Sequence, residues 1–249
     1  MSSVYTSVSG QDAVFKQMQV IANNLANMST AGFKAERLKF EQALANSRPT
    51  ESSLRKEIDE PTSMQTSFYV KTSGSYTDFT QGAIERTHDP LNVALQGDGL
   101  FAVSTADGER YTRAGEFKVA TDGRLVTPQG FPVQGSGGEI VVTGGTPQIL
   151  EDGTVMVAGT AVGKIRVVKV EASQLTREAA QLFKLKDGAS VADAPETKMI
   201  SGAVEASNVN ATRELTDMIM ASRAFDSLQK TRDSNSQMGK ARAEAFGKG

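Results

Sequence analysis

The chain has 249 residues, with no Cys, no Trp, four Tyr, eleven Phe and twenty-three Gly, and a formal net charge of −2. Without Cys, disulfides and thiolate metal sites are excluded, and Lys and Arg are scattered rather than gathered into the basic stripe that nucleic-acid binding uses. The length suffices for one good core or two modest ones, and no stretch approaches the roughly 18–20 apolar residues that span a bilayer.

The first element is an amphipathic helix over residues 3–28. Val4, Val8, Phe15, Met18, Ala22 and Leu25 share one stripe, spaced by threes and fours, which is the seam of a coiled coil. The leading residues, MSSVYTSVSGQDAVF, have no basic start and no continuous apolar run, so no cleavable secretory signal is expected. The helix stops at Asn27-Met28-Ser29-Thr30-Ala31-Gly32, where polar turn residues precede a Gly that can adopt positive φ. Residues 33–44 are charged and weakly amphipathic and read as a short helix. Residues 46–80 are rich in Ser and Thr, with Pro49, Pro61 and few aliphatics. They read as an extended linker that needs a partner surface to order it.

From Asp78 to about Lys186 the period drops to two. Leu91, Val93 and Leu95 alternate, as do Ile165 and Val167 and, after a slip, Val168 and Val170. Asp-Gly pairs recur at Asp98-Gly99, Asp107-Gly108, Asp122-Gly123, Asp152-Gly153 and Asp187-Gly188, and several of these should be tight hairpin turns. Short strands with frequent turns predict a compact antiparallel β-domain. An irregular stretch begins at Ala194-Pro195, and Ser201 to Asn210 lead into a C-terminal helix capped by Asn208 or Asn210. That helix puts Leu215, Met218, Ser222 and Phe225 on a second seam and continues through Leu228 and Met238. It would be about 50 Å long. The expected division is a coiled-coil helix over 1–32, a linker over 33–77, a β-rich domain over 78–190, a linker over 191–207 and a coiled-coil helix over 208–249.

Catalytic groupings do not stand out. The single His, His88, precedes Asp89-Pro90 and reads as a turn residue. Gly97-Asp98-Gly99-Leu100-Phe101 lacks the third Gly of a dinucleotide loop. The run from Gly159 to Lys164 is one residue short of a phosphate loop and has Ile165 where a Ser or Thr must hold Mg²⁺. Acids are plentiful, but nothing marks a pair for glycoside chemistry, and there is no Trp platform for sugar. A partner helix suits the N-terminal stripe better than a membrane surface, because its polar face has little Lys or Arg. No enzyme, no metal site and no cofactor are expected.

Four blocks then resemble one family. Asn23-Asn24-Leu25-Ala26-Asn27 with Gly32-Phe33-Lys34 is similar to the N-terminal signature of the bacterial flagellar rod and hook proteins. The run Pro90-Leu91-Asn92-Val93-Ala94-Leu95-Gln96-Gly97-Asp98-Gly99-Leu100-Phe101 resembles a central motif of the same family. So does Tyr111-Thr112-Arg113-Ala114-Gly115-Glu116-Phe117. Ser207-Asn208-Val209-Asn210, with Glu214-Leu215-Thr216-Asp217-Met218-Ile219 and Arg223-Ala224-Phe225, resembles its C-terminal block. Asn92 stands where an Asp is usual, and Leu100 where an aromatic is usual. The start, Val4-Tyr5-Thr6-Ser7-Val8-Ser9-Gly10, is most similar to the proximal-rod members, with the distal-rod members as the nearest alternative. A β-rich carbohydrate-binding or hydrolytic domain is the alternative from another class.

The resemblance implies a mainly β central domain with long N- and C-terminal α-helices pairing as an antiparallel coiled coil. It implies a structural subunit of the periplasmic basal-body rod, transmitting motor torque, whose partners are other rod proteins. The flagellar type III export gate would be a further partner, exporting the chain unfolded and uncleaved, with Phe40 and Leu44 resembling the family's export motif. The implied assembly interface comprises Val8, Phe15, Met18, Leu25, Asn23, Asn24, Asn27, Leu215, Met218 and Phe225. Two isolated helices of this size would leave apolar surface exposed while ordering costs roughly 1–2 kcal/mol per residue, so the ends are expected to order on assembly.

Overall fold

The computed structural model describes residues 2–45, 67–194 and 197–246, and the side chains over 9–39, 74–194 and 197–238. Among these the chain is mainly β, with a helix near each end: α1 (Ser2–Ala26) and α2 (Ala211–Phe246). It divides into two compact units. Of the described residues, one holds 2–23, 37–45, 67–75 and 212–246; the other holds 24–36, 76–194 and 197–211.

The first unit contains most of both helices and of a pair of strands, Glu36–Ala45 with Ser67–Thr77, whose remaining ends fall in the second. The short helix expected over 33–44 is therefore a strand. Its Glu, Lys, Gln, Leu and Ala favour a helix locally, and pairing with a segment more than twenty residues away overrides that weak preference. The expected linker over 33–77 likewise contains these two strands.

Burial along both helices follows a heptad-like step. On α1 the covered positions include Gln11, Val14, Met18 and Ile21; on α2 they include Glu214, Met218, Ala221, Phe225 and Leu228. The covered stripe of α2 is thus displaced from the predicted one, since Leu215 and Ser222 face outward. Hydropathy favours Leu215, yet Glu214 is the residue with no exposure, its carboxylate 2.7 Å from Arg37 Nη1. The helices touch where a Cβ added at Gly10 would lie 3.6 Å from a Leu228 methyl. Arg232 also donates to Gln11 Oε1 across 3.4 Å.

The second unit is built on a six-stranded antiparallel sheet. Its order is Leu175–Arg177, Phe183–Leu185, Gly108–Thr112, Leu100–Thr105, Val167–Lys169 and Ala192–Asp193. Alternation along Leu100–Thr105 divides the core. Phe101 joins Val93, Leu95, Phe117, Leu125, Val133, Ile140 and Ile165 on one side. Leu100 and Ala102 join Tyr111, Val168 and Phe183 on the other. The slip between Val167 and Val168 has the same cause: one packs into each cluster. Each Val, Leu, Ile or Phe among them contributes about 1.5–3 kcal/mol when fully buried.

Of the five Asp-Gly pairs, three turn hairpins. Asp107-Gly108 links the two central strands, Asp122-Gly123 links Lys118–Val119 to Leu125–Val126, and Asp152-Gly153 links Pro147–Ile149 to Thr154–Val157. Asp98-Gly99 and Asp187-Gly188 are bends between strands that pair elsewhere. The Gly159 to Lys164 run is likewise a hairpin arm, entered through Ala158 and Gly159, both at positive φ as a two-residue primed turn requires. The β unit extends beyond the 78–190 span read from periodicity: Lys198–Ser201 pairs with Val93–Gln96, and Ala203–Glu205 with Ile84–Arg86.

Candidate functional site: a buried junction and two helical stripes

The junction lies inside the β unit. After α1 the chain turns through Gly32 at φ 68°, where a Cβ would lie 2.4 Å from the Ala114 nitrogen, so both conformation and space demand Gly. That close approach carries Phe33 and Lys34 inward, to 0% and 1% exposure. Arg113 follows the strand Gly108–Thr112, and Glu205 ends the strand Ala203–Glu205.

These three charges meet. Lys34 Nζ is 2.6 Å from Glu205 Oε1, and Arg113 Nε is 2.6 Å from Glu205 Oε2. Arg113 also donates to the carbonyls of Leu95 (2.9 Å), Gly97 (2.7 Å) and Gly99. Lys34 donates to the Thr80 carbonyl at 2.7 Å, and the Gly82 amide donates to Glu205 Oε1 at 2.8 Å. Burial pulls the Lys34 ammonium below the ordinary lysine range. For Glu205 burial acts the other way, but Arg113 and Lys34 outweigh it and hold the carboxyl below the usual carboxylate range.

Asparagines and one further arginine complete the ties. Asn208 accepts from the Ala35 amide at 2.7 Å and donates to the Asp78 carbonyl at 2.9 Å. Asn24 accepts from the Glu36 amide and donates to the Glu36 carbonyl, both at 2.9 Å, as a neighbouring strand would. The Arg177 guanidinium sits 4.8 Å over the Phe33 ring and 5.2 Å over Phe183, and donates to the Lys34 carbonyl. A cavity of about 420 Å³ opens beside the cluster, lined by Lys34, Arg113, Phe79, Thr80, Leu100 and Lys169 among others. Both buried cations already engage the carboxylate and carbonyls, so the arrangement ties strands together.

The predicted interface residues are placed unequally. Asn24 has no exposure and is engaged within the chain, so it is an internal tie rather than a contact surface. Asn27 accepts from the Thr30 hydroxyl in the turn after α1, and Asn23 is exposed on the last turns of the helix. Met18, Leu25, Met218 and Phe225 are half-buried, whereas Phe15 and Leu215 are 47% and 50% exposed. Beside Leu215, Ile219 and Met220 are 55% and 56% exposed. Val8, Phe40 and Leu44 lie outside the described side chains. α2 begins at Ala211, directly after Asn210, while Asn208 serves the junction. His88 is an exposed residue at φ 62° whose amide donates to the Gly202 carbonyl, as a turn residue does.

Sequence reasoning missed the junction. Its signal was present: Lys34 and Arg113 each stand in a small or apolar setting, Gly32-Phe33-Lys34-Ala35 and Ala114-Gly115. All four blocks singled out by resemblance contribute to it, through Lys34, the carbonyls of residues 95, 97 and 99, Arg113 and Asn208.

No helix among the described residues is long and apolar enough to cross a membrane. Residues 4–34 match the family described as flagella basal body rod protein. Residues 94–157 match the D1 domain of flagellar hook protein FlgE/F/G, and residues 200–241 the C-terminal region of flagellar basal body rod FlgEFG protein. The chain is 31% identical to the flagellar basal-body rod protein FlgF of Rhizobium meliloti (strain 1021), over 96% of each protein. It is 36% identical to FlgF of Escherichia coli (strain K12), over 92% of this chain and 91% of the relative. It is also 31% identical to the rod protein FlgG of Bacillus subtilis (strain 168), over 92% and 93%. The chain therefore belongs to the flagellar basal-body rod family, as a FlgF-like rod protein.

Proposed function

We propose that the chain is a structural subunit of the proximal rod, polymerising through its terminal helices into the periplasmic shaft that carries motor torque. The observation that carries this is the double character of α2. One stripe, Met218, Ala221, Phe225 and Leu228, is at least half covered within the chain. A second group on the same helix, Leu215, Ile219 and Met220, is half exposed or more. In a folded monomer the second group is a liability; in a packed tube of helices it is the adhesive surface. The heptad-like burial on both helices and the Gly10–Leu228 approach support an antiparallel coiled coil as the subunit's contribution to that tube. Similarity to FlgF over nearly the whole chain favours the proximal position over the distal one.

Replacing Leu215 and Ile219 together by Asp tests the reading in a strain lacking the wild-type gene. The variant should be made and remain folded, yet be absent from purified basal bodies, and the cells should not swim. Normal incorporation of the double variant would contradict the proposal. Passage to the periplasm is proposed to use the flagellar export gate, reading Phe40 and Leu44. Substituting both by Ala should trap the chain in the cytoplasm, whereas normal secretion with failed assembly would assign them to packing alone.

A further inference from the structure

We propose that the junction is a latch in two halves: a permanent Arg113–Glu205 half inside the β unit, and a detachable Lys34 half on the segment arriving from α1. The inference is independent of the polymerisation reading, because it concerns contacts within one β unit.

The two halves differ in what becomes of each partner when one member leaves. Glu205 Oε1 accepts one hydrogen bond from Lys34 Nζ and another from the Gly82 amide at 2.8 Å, so it remains bonded without Lys34. The Thr80 carbonyl, the other close partner of Lys34, also accepts from Asn208 Nδ2 at 3.0 Å. Departure of Lys34 therefore orphans neither of its two closest acceptors. It also leaves Arg113 and Glu205 as a neutral pair, with Arg113 still anchored on the carbonyls of Leu95, Gly97 and Gly99. The ammonium has somewhere to go: the cavity of about 420 Å³ is lined by Lys34 itself, and it is large enough to admit water that would hydrate a cation which burial otherwise penalises.

Loss of Glu205 has the opposite consequence. It strands the Arg113 guanidinium, which the carbonyls of Leu95, Gly97 and Gly99 hold in place, as a buried positive charge with no acid beside it. Glu205 and Arg113 thus hold the unit together, while Lys34 joins the buried Phe33 ring and the Arg177 and Asn208 bonds in fixing where residues 32–35 sit on it. Two amides report that position directly: Gly32 N–H donates to the Glu205 carbonyl at 2.7 Å, and Ala35 N–H to Asn208 Oδ1 at 2.7 Å. A detachable Lys34 lets this segment shift on a folded β body.

The test is amide exchange and thermal unfolding of the full chain, comparing wild type with Lys34→Met and Glu205→Gln. Lys34→Met should speed exchange at Gly32 and Ala35 at least tenfold, leave exchange in Leu100–Thr105 and Gly108–Thr112 unchanged, and keep the unfolding midpoint of wild type. Glu205→Gln should lower the midpoint and speed exchange in both regions. The latch is overturned if Lys34→Met lowers the midpoint as far as Glu205→Gln, fails to fold, or leaves Gly32 and Ala35 as protected as in wild type.

Discussion

The two units solve the burial problem in opposite ways. The β unit takes charged and polar groups inside and satisfies nearly all of them from its own chain: Lys34, Arg113 and Glu205 are almost fully buried and each has partners, and among the described residues Arg177 Nε alone is buried without a hydrogen-bond partner. The helical unit leaves its large apolar groups further outside: Leu215, Ile219, Met220 and Met238 are half exposed or more, whereas Met28, Tyr76, Val141 and Leu150 of the β unit stay below half. A region whose buried polar atoms are internally matched is complete as a monomer. A region whose apolar side chains remain in water is complete only against other molecules. Within one sequence, the first behaviour suits a folded body and the second a polymerising surface.

The largest expected effect on stability breaks the first half of this comparison. Glu205→Ala leaves Lys34 and Arg113 buried without their carboxylate and should cost about 3–5 kcal/mol, read from denaturant unfolding. Asn24→Ala comes next. It removes both bonds to the Glu36 backbone at a site with no exposure and should cost about 1–3 kcal/mol. The Glu205 carboxyl also gives a pH signature. Its pKa in the folded chain is below the ordinary 4.5, so its contribution is full above that value and fades as pH falls through the depressed one. The stability difference between wild type and Glu205→Gln should accordingly shrink on acidification below about pH 4.5. At the small end, Leu215→Asp with Ile219→Asp should change monomer stability by no more than about 0.5 kcal/mol per site, because both positions are half exposed. A large loss of monomer stability there would place these residues in the chain's own core and erase the contrast between the units.

The β character, the three Asp-Gly hairpins and the two helices were legible because each rests on local chemistry: period-two alternation, positive-φ turn residues and three-four spacing. The strand Glu36–Ala45 was not, because its composition favours a helix and its partner, Ser67–Thr77, is remote in sequence. The phase of the α2 stripe was misread for a related reason. Hydropathy puts Leu215 inside and Glu214 outside, but Arg37, 177 residues away, makes Glu214 the buried one. The junction escaped for the same cause, since Lys34 and Glu205 are 171 positions apart and buried charges carry no periodic signature. The glycine that admits them, Gly32, was read only as a helix stop; its contact with the Ala114 backbone is a long-range fact.

The central claim is that the outward apolar groups of the helical unit are contacts between subunits of the rod. Imaging of purified basal bodies, at a resolution that traces side chains, tests it most directly. The account predicts this chain in the proximal rod, with α1 and α2 packed in the inner layer and Phe15, Leu215 and Ile219 enclosed by neighbouring subunits. Finding the chain absent from the rod, or present with those three side chains facing solvent, would contradict it.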